Sequence, residues 1–541
     1  MSVETLARIQ FGLTASFHFV FPPMTIGLGL VLVVMQTLRV WTGARLYLAL
    51  ARFWTKVFGL VFAIGVATGI PMEFQFGMNW AHYARFVGDI FGSPLAIEGI
   101  YAFFMESGFL ALLLFGWNKI GPRMHLFATC MVVLGAHFSA IWILVANSWM
   151  QTPAGYHLAR EMKVTADGAQ FPVTVDLGHV AYTIKEVALP RGYVVQPQDL
   201  GHVRAVIDNF AAAIFNPSAL ERLAHTVLAC WITGAFVVVA ISAWWLLRNR
   251  HLDAARASLK IGLGIASVAC LLQTLAGDST ARGVALHQPT KLAALEGLVQ
   301  SQKEAPLGIV GWVNWKRNSA GEITGLENHS LRVPALLSVL VSGDFLHPAA
   351  AAQTEVKGLS ELPLESLLRE RHPGVSEADL GKVRLGYWPN APVLFQTYHL
   401  MIALGVVLTL AALGGCWLWK SGRLWNTRSR PVRAFLGLLV ACPFLAHIAT
   451  QAGWFTAEMG RQPWIVYQVL KTSEATSAVV RAPQVLMSIL MFTLIYLLLS
   501  VLFVTLLARK IKHGPVSVDN SPTTREGPSA PLLCASSQQI E

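Results

Sequence analysis

Charged residues are scarce in this chain, and their scarcity excludes an ordinary soluble protein. Only 13% of the 541 residues are Asp, Glu, Lys or Arg, whereas 54% are hydrophobic and the mean hydropathy is +0.52. A soluble domain carries about 25% charged residues, so the composition indicates a polytopic membrane protein. The net charge of +11 does not indicate nucleic-acid binding, because the Lys and Arg residues fall in short connectors between apolar runs.

Cysteine is also scarce, and its placement indicates no special chemistry. Five of the six cysteines lie inside apolar runs, and the sixth, Cys534, lies near the C-terminus. No CxxC or CxxCH motif and no disulfide-type spacing occurs, so we interpret them as ordinary buried thiols. The N-terminus lacks a basic region before its first apolar stretch and lacks a clear cleavage site. That stretch is therefore predicted to be a retained helix.

Nine apolar runs are long enough to cross a bilayer, which takes about 20 residues. They lie near residues 11–38, 53–76, 95–117, 126–149, 219–247, 258–276, 392–418, 432–456 and 484–508. Basic residues concentrate in the short connectors after the first, third, fifth, seventh and ninth runs, so these connectors should face the cytoplasm. The prediction is an all-α polytopic membrane protein of about nine transmembrane helices, with the N-terminus outside and the C-terminus cytoplasmic.

This topology divides the chain into helical blocks and two long external connectors. The segments are 1–150 (helices one to four), 151–218 (external), 219–276 (helices five and six), 277–391 (external), 392–508 (helices seven to nine) and 509–541 (tail). Connectors of this length are usually functional or disordered. The second one opens with a short segment, Gln288–Glu296, that is predicted to be amphipathic. The tail is rich in Ser and Pro and is predicted to be disordered and cytoplasmic.

Four potential metal ligands are expected at one level of the membrane. His18, His225 and Met401 lie early in helices that run inward, and Glu458 lies late in a helix that runs outward. All four should therefore lie near the outer face, where they could serve as axial ligands of heme iron. Taken singly, a His or Met in such a helix is more often a packing residue. Glu458 could equally form an interfacial ion pair with Arg461.

Two carboxylates, Glu98 and Glu106, lie eight residues apart in the third predicted helix. On a regular α-helix they would be roughly 80° apart and about 12 Å apart along the axis. Carboxylates strung along one side of a helix suit a proton relay through the membrane. Structural hydrogen bonds to neighbouring helices are the alternative. Ser107 and Ser139 could extend such a path or could simply bond the backbone.

Longer sequence blocks surround these side chains. They are Ala7–Ala15 with His18, Gly65–Gly69, Met72–Gly77, Ala96–Gly99, Trp142–Asn147, Trp149–Gln151 and Gly453–Trp464. These blocks resemble subunit I of cytochrome bd-type quinol oxidases, and the resemblance extends over nearly all the predicted helices. The resemblance implies that the external segment 277–391 is the quinol-binding loop.

The resemblance also implies three hemes. His225 and Met401 match the two axial ligands of a low-spin heme b. His18 and Glu458 match the ligands of two high-spin hemes, one b-type and one d-type, where oxygen is reduced. It leaves open which of these two residues holds which heme, and whether a third heme b replaces heme d.

Further roles follow from the same resemblance. Lys291 and Glu296 match the lysine and glutamate that contact quinol in the family. Trp454 matches an aromatic residue on the electron path between hemes, and Arg461 matches a cation near the heme propionates. With Glu98, Glu106, Ser107 and Ser139 as the proton path, these residues complete the predicted site.

Some positions depart from the best-known branch of the family. His399 stands where many members have an arginine, two residues before the methionine ligand, and His137, His447 and Gln451 also differ. The quinol loop is short, and the 151–218 connector is long. These features resemble the cyanide-insensitive branch.

The predicted function is the heme-bearing catalytic subunit of a terminal quinol:oxygen oxidoreductase in a bacterial inner membrane. Ubiquinol or menaquinol would be oxidised at the outer face and O2 reduced to water with cytoplasmic protons, which contributes to the proton gradient. The resemblance implies a second membrane subunit (subunit II), and in some members a very small third one. A proton- or ion-coupled transporter and a heme-b quinone dehydrogenase anchor remain as alternatives.

Overall fold

Long helices carry most of the chain, as the apolar runs predict. This computed structural model describes residues 1–166, 169–178, 200–372 and 374–515. Within those ranges, nine helical segments are long and apolar enough to cross a membrane. They are Val3–Thr42, Arg45–Met78, Gly88–Phe115, Pro122–Gln151, Ala219–Leu247, Leu252–His287, Ala391–Lys420, Arg430–Met459 and Ala482–His513. The predicted helical membrane fold is confirmed, and most spans extend beyond the apolar runs that predicted them.

The first four spans are assembled from six helices, and a seventh, α4 (Ala81–Phe86), lies between the second and third spans. The seven are α1 (Val3–His18), α2 (Phe21–Thr42), α3 (Arg45–Met78), α4, α5 (Gly88–Ile97), α6 (Phe104–Phe115) and α7 (Pro122–Gln151). The first span is broken between α1 and α2, because Pro22 and Pro23 cannot donate backbone N–H groups to the preceding turn. The break makes His18 the last residue of α1.

The third span is not a regular α-helix. A π-helical segment, Glu98–Phe103, separates α5 from α6. A π-helix has a wider turn than an α-helix, and such segments are frequent at functional sites. The prediction that Glu98 and Glu106 lie about 80° apart on a regular α-helix is therefore wrong.

The connectors contain strands that the sequence analysis did not predict. The first holds β1 (Tyr156–Ala166), β2 (Ala169–Gly178), β3 (Leu200–Ile207) and α8 (Phe210–Ile214). The central strand β1 pairs antiparallel with both β2 and β3. Residues 167–168 and 179–199 of this predicted connector lie outside the described ranges.

The fifth and sixth spans are single helices, α9 (Ala219–Leu247) and α10 (Leu252–His287). The second connector follows, with α11 (Pro289–Glu296), β4 (Leu307–Arg317), β5 (Ile323–Val333), α12 (Leu336–Ser342), α13 (Pro348–Ala351), α14 (Glu365–Arg371) and α15 (Glu377–Leu385). β4 and β5 form an antiparallel hairpin. Helix α10 extends past residue 276, where the sixth span was predicted to end.

The segment predicted to be amphipathic, Gln288–Glu296, contains α11 and is not amphipathic in the fold. Its residues from Thr290 to Glu296 are all buried, including Lys291. Helix α11 packs against α10 and α16, and the hairpin lies over Gly297, where α11 ends. The prediction was wrong because these neighbours bury the polar side chains as well as the apolar ones.

The last three spans are α16 (Ala391–Lys420), α17 (Arg430–Met459) and α18 (Ala482–His513). A short hairpin of β6 (Trp464–Val466) and β7 (Leu470–Lys471) lies between α17 and α18. The tail was predicted to begin at residue 509, but α18 continues through His513. Residues 516–541 of the predicted tail lie outside the described ranges.

Helix α9 is the centre of the bundle. Its most apolar stretch is 72% buried, whereas that of α18 is 6% buried. Helices α2 and α9 meet backbone to backbone: a Cβ on Gly27 would lie 2.2 Å from the Cys230 carbonyl oxygen, and one on Gly234 would lie 2.4 Å from the Gly27 Cα. Small residues permit this approach between membrane helices, where close packing replaces the hydrophobic driving force.

The basic connectors lie at one end of the bundle. Arg39 and Arg52, from the first connector, both lie over the ring of Trp117, which follows the third span. Arg256 lies over Trp425 in the connector between the seventh and eighth spans. These contacts bring four short connectors to the same end, as the charge pattern predicts.

Candidate cofactor cavity and active site

A cavity of about 1990 Å³ lies among the membrane helices. Ligand pockets typically enclose about 300–1,000 Å³, so this space exceeds what one small molecule requires. Ten of the twelve predicted site residues line it: His18, Glu98, Glu106, Ser139, His225, Lys291, Met401, Trp454, Glu458 and Arg461. Ser107 and Glu296 do not. The fold therefore brings most of the predicted site to one continuous cavity.

His18 is hydrogen-bonded through one of its two ring nitrogens. Its Nδ1 lies 3.0 Å from the Thr68 hydroxyl oxygen. That hydroxyl also lies within hydrogen-bonding distance of the carbonyl oxygens of Ile64 and Gly65, at 3.0 and 2.9 Å. A Thr68 proton directed to these carbonyl oxygens lets the hydroxyl accept from Nδ1, and the lone pair on Nε2 is then available to a ligand. A hydrogen bond to the second ring nitrogen is the usual way in which proteins orient a metal-binding histidine.

His225 and Met401 line the same cavity from α9 and α16. The Gln273 side-chain nitrogen lies 3.2 Å from each ring nitrogen of His225. A Cβ at Gly453 would lie 2.8 Å from the Met401 sulfur, so the thioether packs where a larger residue would clash. Trp454 is the next residue of α17 and also lines the cavity.

Glu458 is fixed by hydrogen bonds to both of its carboxylate oxygens. Oε2 accepts from Arg461 Nη2 at 2.6 Å, and Oε1 accepts from Asn147 Nδ2 at 2.8 Å. The Asn147 carbonyl oxygen in turn accepts from Arg222. The Glu458 and Arg461 side chains are only 18% and 5% exposed, so the pair is buried within the protein. This burial argues against a pair that snorkels to water, and the role of Glu458 as a heme ligand stays a prediction.

Positive charge exceeds negative charge around Glu458. Arg222, Lys291 and Arg461 surround this single carboxylate closely enough to act on its charge. Arg222 Nε, Arg461 Nε and Arg461 Nη1 are buried and have no hydrogen-bond partner among the described residues. Unpaired buried donors are costly. They suit the propionate groups of a heme, which are anionic acceptors, so the residues present fit that cofactor.

Lys291 is buried close to Arg222 and Arg461. Its ammonium group donates to the Gln151 side-chain oxygen at 2.6 Å and also to Gln288. A Cβ at Gly460 would lie 2.7 Å from Lys291 Cγ, so the lysine packs against the end of α17. Burial, with a smaller contribution from Arg222, holds the pKa of Lys291 well below its ordinary value. Lys291 therefore contacts the cavity and not an outer surface.

Glu296 lies in a different environment, beneath the β4–β5 hairpin. Its Oε2 accepts from the Gly308 backbone N–H at 3.0 Å, and its Oε1 has no partner within the described part of the chain. Burial raises the pKa of Glu296 to about 7, against the opposing effects of the Gly308 N–H and of Arg332. Lys291 and Glu296, five residues apart on α11, therefore contact different neighbours, and the structure does not bring them together.

The proposed proton-path residues are only partly connected. Ser139 donates to Glu98 Oε1 at 2.6 Å, which links α7 to the π-helical segment. Glu106 lines the cavity, but Ser107 donates to the Phe104 carbonyl oxygen and has no direct role in a carboxylate chain. Ser139 therefore bonds a carboxylate and Ser107 bonds the backbone, and a proton path through these residues stays a prediction.

The structure also shows the surroundings of the side chains that depart from the best-known branch of the family. His137 Nε2 accepts from the Trp231 indole N–H at 3.0 Å. This hydrogen bond gives the imidazole a structural role that needs no metal. Gln451 donates to the Ser16 carbonyl oxygen at 2.7 Å and so ties α17 to the last turn before His18. His447 Nδ1 is buried with no partner among the residues described.

Sequence reasoning missed several residues of the site. Asn147 lay within a block quoted for the resemblance, yet its bond to Glu458 could not be read from the sequence. Arg222 and Glu73 are charged residues inside predicted spans, and that alone should have marked them; both line the cavity. Thr68 and Gln273 carried no such signal.

The candidate ligands come from four helices, one from each of α1, α9, α16 and α17. Among the described residues, no group of three or more His, Cys, Asp or Glu side chains is arranged to hold a bare metal ion. Heme iron needs only one or two protein ligands, because the porphyrin supplies the rest. Single, separated donors around one large cavity are the arrangement expected of a membrane protein that binds heme.

Comparison with known proteins gives the family. The chain matches the family described as "Cytochrome bd terminal oxidase subunit I" over residues 6–179 and 187–515 and belongs to it. This confirms the predicted family and the prediction of an oxidoreductase, a terminal oxidase. Since cytochromes carry heme, membership also agrees with the cavity described above.

The similarity extends over nearly the whole chain. It is 34% identical over 573 aligned residues to cytochrome bd-II ubiquinol oxidase subunit 1 of Escherichia coli (strain K12), covering 97% of this chain and 99% of that protein. It is 34% identical to cytochrome bd ubiquinol oxidase subunit 1 of Bacillus subtilis (strain 168), covering 96% and 97%. The structure of bd oxidase from Geobacillus thermodenitrificans is similar with a TM-score of 0.72 and 26% identity, covering 95% and 99%.

Proposed function

We propose that this chain is the heme-bearing catalytic subunit of a terminal quinol:oxygen oxidoreductase. It would oxidise ubiquinol or menaquinol near the outer face of a bacterial inner membrane and reduce O2 to water. The single observation that carries the proposal is that His18, His225, Met401 and Glu458 all line one large cavity. The names of the relatives from Escherichia coli and Bacillus subtilis, both ubiquinol oxidases, support the substrate class.

The ligand assignment follows from the donors. His225 and Met401 would hold a low-spin heme b; His18, through Nε2, and Glu458 would hold two high-spin hemes, one of type b and one of type d or a third b. Heme would supply reversible one-electron transfer and an iron at which oxygen is reduced. Arg461 would bind propionate groups through its two unpaired nitrogens. No transporter or dehydrogenase anchor needs four such donors around one cavity.

The chain's own residues set the electrostatics of this site. Asn147 and Arg461 keep Glu458 oriented, and Arg222 orients Asn147. This support leaves the carboxylate with free lone pairs toward the cavity, since a carboxylate has about four acceptor positions. Trp454 lies in sequence between Gly453, which packs on Met401, and Glu458, so it is suited to an electron path between the two ligand positions.

Quinol oxidation is assigned to the second connector. Glu296 would accept a quinol proton through Oε1, the oxygen that has no protein partner. Lys291 is proposed as the second quinol contact on the evidence of the family resemblance. Its burial against Gln151 and Gln288 means that a quinol reaching Lys291 must approach from the cavity and not from the outer solvent.

Protons for oxygen reduction would come from the cytoplasm. The basic connectors mark that side by the positive-inside rule, which places the N-terminus outside and the C-terminus inside. Glu106 and Glu98 would pass protons toward the cavity, with Ser139 bonded to Glu98. Quinol protons would leave on the outer side, so the reaction would separate charge and contribute to the proton gradient. A second membrane subunit, and a very small third one, would complete the oxidase.

The test is a reduced-minus-oxidised spectrum together with quinol-driven oxygen uptake, measured on membranes that contain the expressed oxidase. Expected are heme b bands, a high-spin absorbance and oxygen consumption that depends on added quinol. A transporter would have no heme bands. A dehydrogenase anchor would have low-spin heme but would not consume oxygen with quinol. Either result would contradict the proposal.

A further inference from the structure

His399 is fixed on three sides at the outer end of α16. Its Nδ1 lies 2.7 Å from the Phe395 carbonyl oxygen, one turn earlier, and its Nε2 lies 3.1 Å from the Gly308 carbonyl oxygen in strand β4. The Phe395 ring stacks on the imidazole at 3.9 Å between centroids, with 26° between planes. Both partners are carbonyl acceptors, so the imidazole donates to both at once only when both ring nitrogens carry a proton, and a neutral ring donates to one of them. With a proton on Nε2, the ring bridges α16, the span that carries Met401, and the hairpin of the second connector.

Gly308 is the contact point for three side chains. A Cβ added there would lie 3.2 Å from His399 Nε2, 3.2 Å from a ring carbon of Phe395 and 3.5 Å from Glu296 Oε2. Its carbonyl oxygen faces His399, and its N–H donates to Glu296 Oε2 at 3.0 Å. His399 and Glu296 thus hold the two polar groups that flank one Cα atom.

We propose that His399 is a positioning residue for Glu296: by binding the Gly308 carbonyl oxygen, it holds the Gly308 N–H on the carboxylate that accepts the quinol proton. The proposal rests on the proposed function of the second connector. Nothing in the bridge requires His399 itself to touch substrate or cofactor.

The surroundings of Glu296 make the Gly308 N–H important for the ionisation of its carboxyl group. Arg332 and Asn328 from β5 and Tyr398 and His399 from α16 are the other polar or charged side chains near it. The Asn328 amide donates to the Glu296 backbone carbonyl oxygen at 2.9 Å, not to the carboxylate. No side chain of the described residues donates to either carboxylate oxygen, so the Gly308 N–H is the hydrogen bond that favours the ionised form. If His399 releases β4, Glu296 loses that donor and its pKa rises further above the ordinary value. The carboxylate that accepts a proton would then be present only at higher pH.

Two substitutions of nearly equal size separate this role from general packing. In His399→Asn the amide nitrogen replaces Nδ1 and can reach Phe395 but not Gly308. In His399→Gln the amide nitrogen replaces Nε2 and can still donate to the Gly308 carbonyl oxygen. A hydrogen bond to a charged group is worth about 1.5 kcal/mol or more, which is about tenfold in a rate or binding constant.

The experiment measures quinol oxidation against pH, with the reduced-minus-oxidised spectrum of the same preparations. His399→Asn should lower kcat/KM for quinol about tenfold and move the acid limb of the pH profile to higher pH, with heme bands unchanged. His399→Gln should lose less and keep the limb near that of the wild type. Gly308→Ala should resemble His399→Asn, because the added methyl group separates His399 from Glu296.

Equal effects of the Asn and Gln variants, or an acid limb that does not move, would overturn the proposal. Loss of the low-spin heme band in His399→Asn would also overturn it, since the histidine would then act on the neighbouring heme. Glu296→Gln distinguishes this failure from that of the proposed function. If Glu296→Gln leaves quinol oxidation intact, the quinol site is elsewhere; if it impairs oxidation while His399→Asn does not, only the bridge is wrong.

Discussion

Glu458→Gln is the substitution that most directly tests the site. The change is nearly isosteric, but the amide cannot accept hydrogen bonds at both ends. Asn147 presents an N–H to one oxygen of Glu458, and it cannot reverse its amide because its own oxygen is bound by Arg222. A glutamine must therefore lose either the Asn147 bond or the Arg461 bond.

The expected cost follows from burial. The Glu458–Arg461 pair has an N···O distance of 2.6 Å and side chains that are 18% and 5% exposed. Removing one member of a buried pair costs about 3–5 kcal/mol, because the other charge is left uncompensated. Here Arg222 and Lys291 would also lose their nearest anion. Glu365–Arg369 on α14 is the matched control, with the same 2.6 Å distance but 50% and 43% exposure. Glu365→Gln should leave stability and spectra unchanged.

Pyridine-hemochrome stoichiometry and carbon-monoxide difference spectra would be measured on Glu458→Gln, Arg461→Gln and the double variant. If Glu458 is a heme ligand, one high-spin heme is lost or its band displaced in the single variant, and the double variant does not recover it. If Glu458 only neutralises Arg461, the double variant regains stability and the full heme content. That recovery, or a wild-type spectrum in Glu458→Gln, would refute the ligand assignment.

Three further results are expected. His225→Ala and Met401→Leu should each remove the low-spin band from the reduced-minus-oxidised spectrum while high-spin absorption persists; a normal band in both variants contradicts the pair. Ser139→Ala should slow oxygen uptake at constant heme content, because Glu98 loses its 2.6 Å donor; unchanged uptake removes Ser139 from the path. Wild-type quinol oxidation should fall as the pH drops below about 7, where Glu296 becomes protonated, whereas Glu296→Gln should be slow and show no such limb.

The membrane part of the fold was predictable because the signal for a span is local. The nine apolar runs correspond to nine spans in the part of the chain that the structure describes, and the basic connectors lie together at one end, as their charge predicts. The break before α2 could also have been predicted, since Pro22 and Pro23 follow shortly after His18. The hairpin of the second connector was harder to predict, because only its first strand, Leu307–Arg317, is rich in Val, Ile and Trp, although Gly321 marks the turn.

The detailed geometry of the site was not predictable, because it depends on contacts between distant segments. The eight-residue spacing of Glu98 and Glu106 did not predict their relative orientation, because the segment between them is π-helical. The opposite surroundings of Lys291 and Glu296 are set by α7, α17 and the hairpin, none of which is near them in sequence. The identity of the ligand residues was available only through resemblance, since one His or Met in a membrane helix is ordinary.

The contact of Gly27 with Gly234 limits when the cavity can close during synthesis. The two glycines lie about two hundred residues apart, on either side of the first connector, and α9 also carries His225. Ribosomes add about 5–20 residues per second, so roughly 10–40 s separate the emergence of the two helices. Until α9 arrives, α2 has no partner for its glycine face, and the cavity lacks one wall. Cofactor capture is therefore a late event in biogenesis, and the nascent first four spans must persist in the bilayer without it.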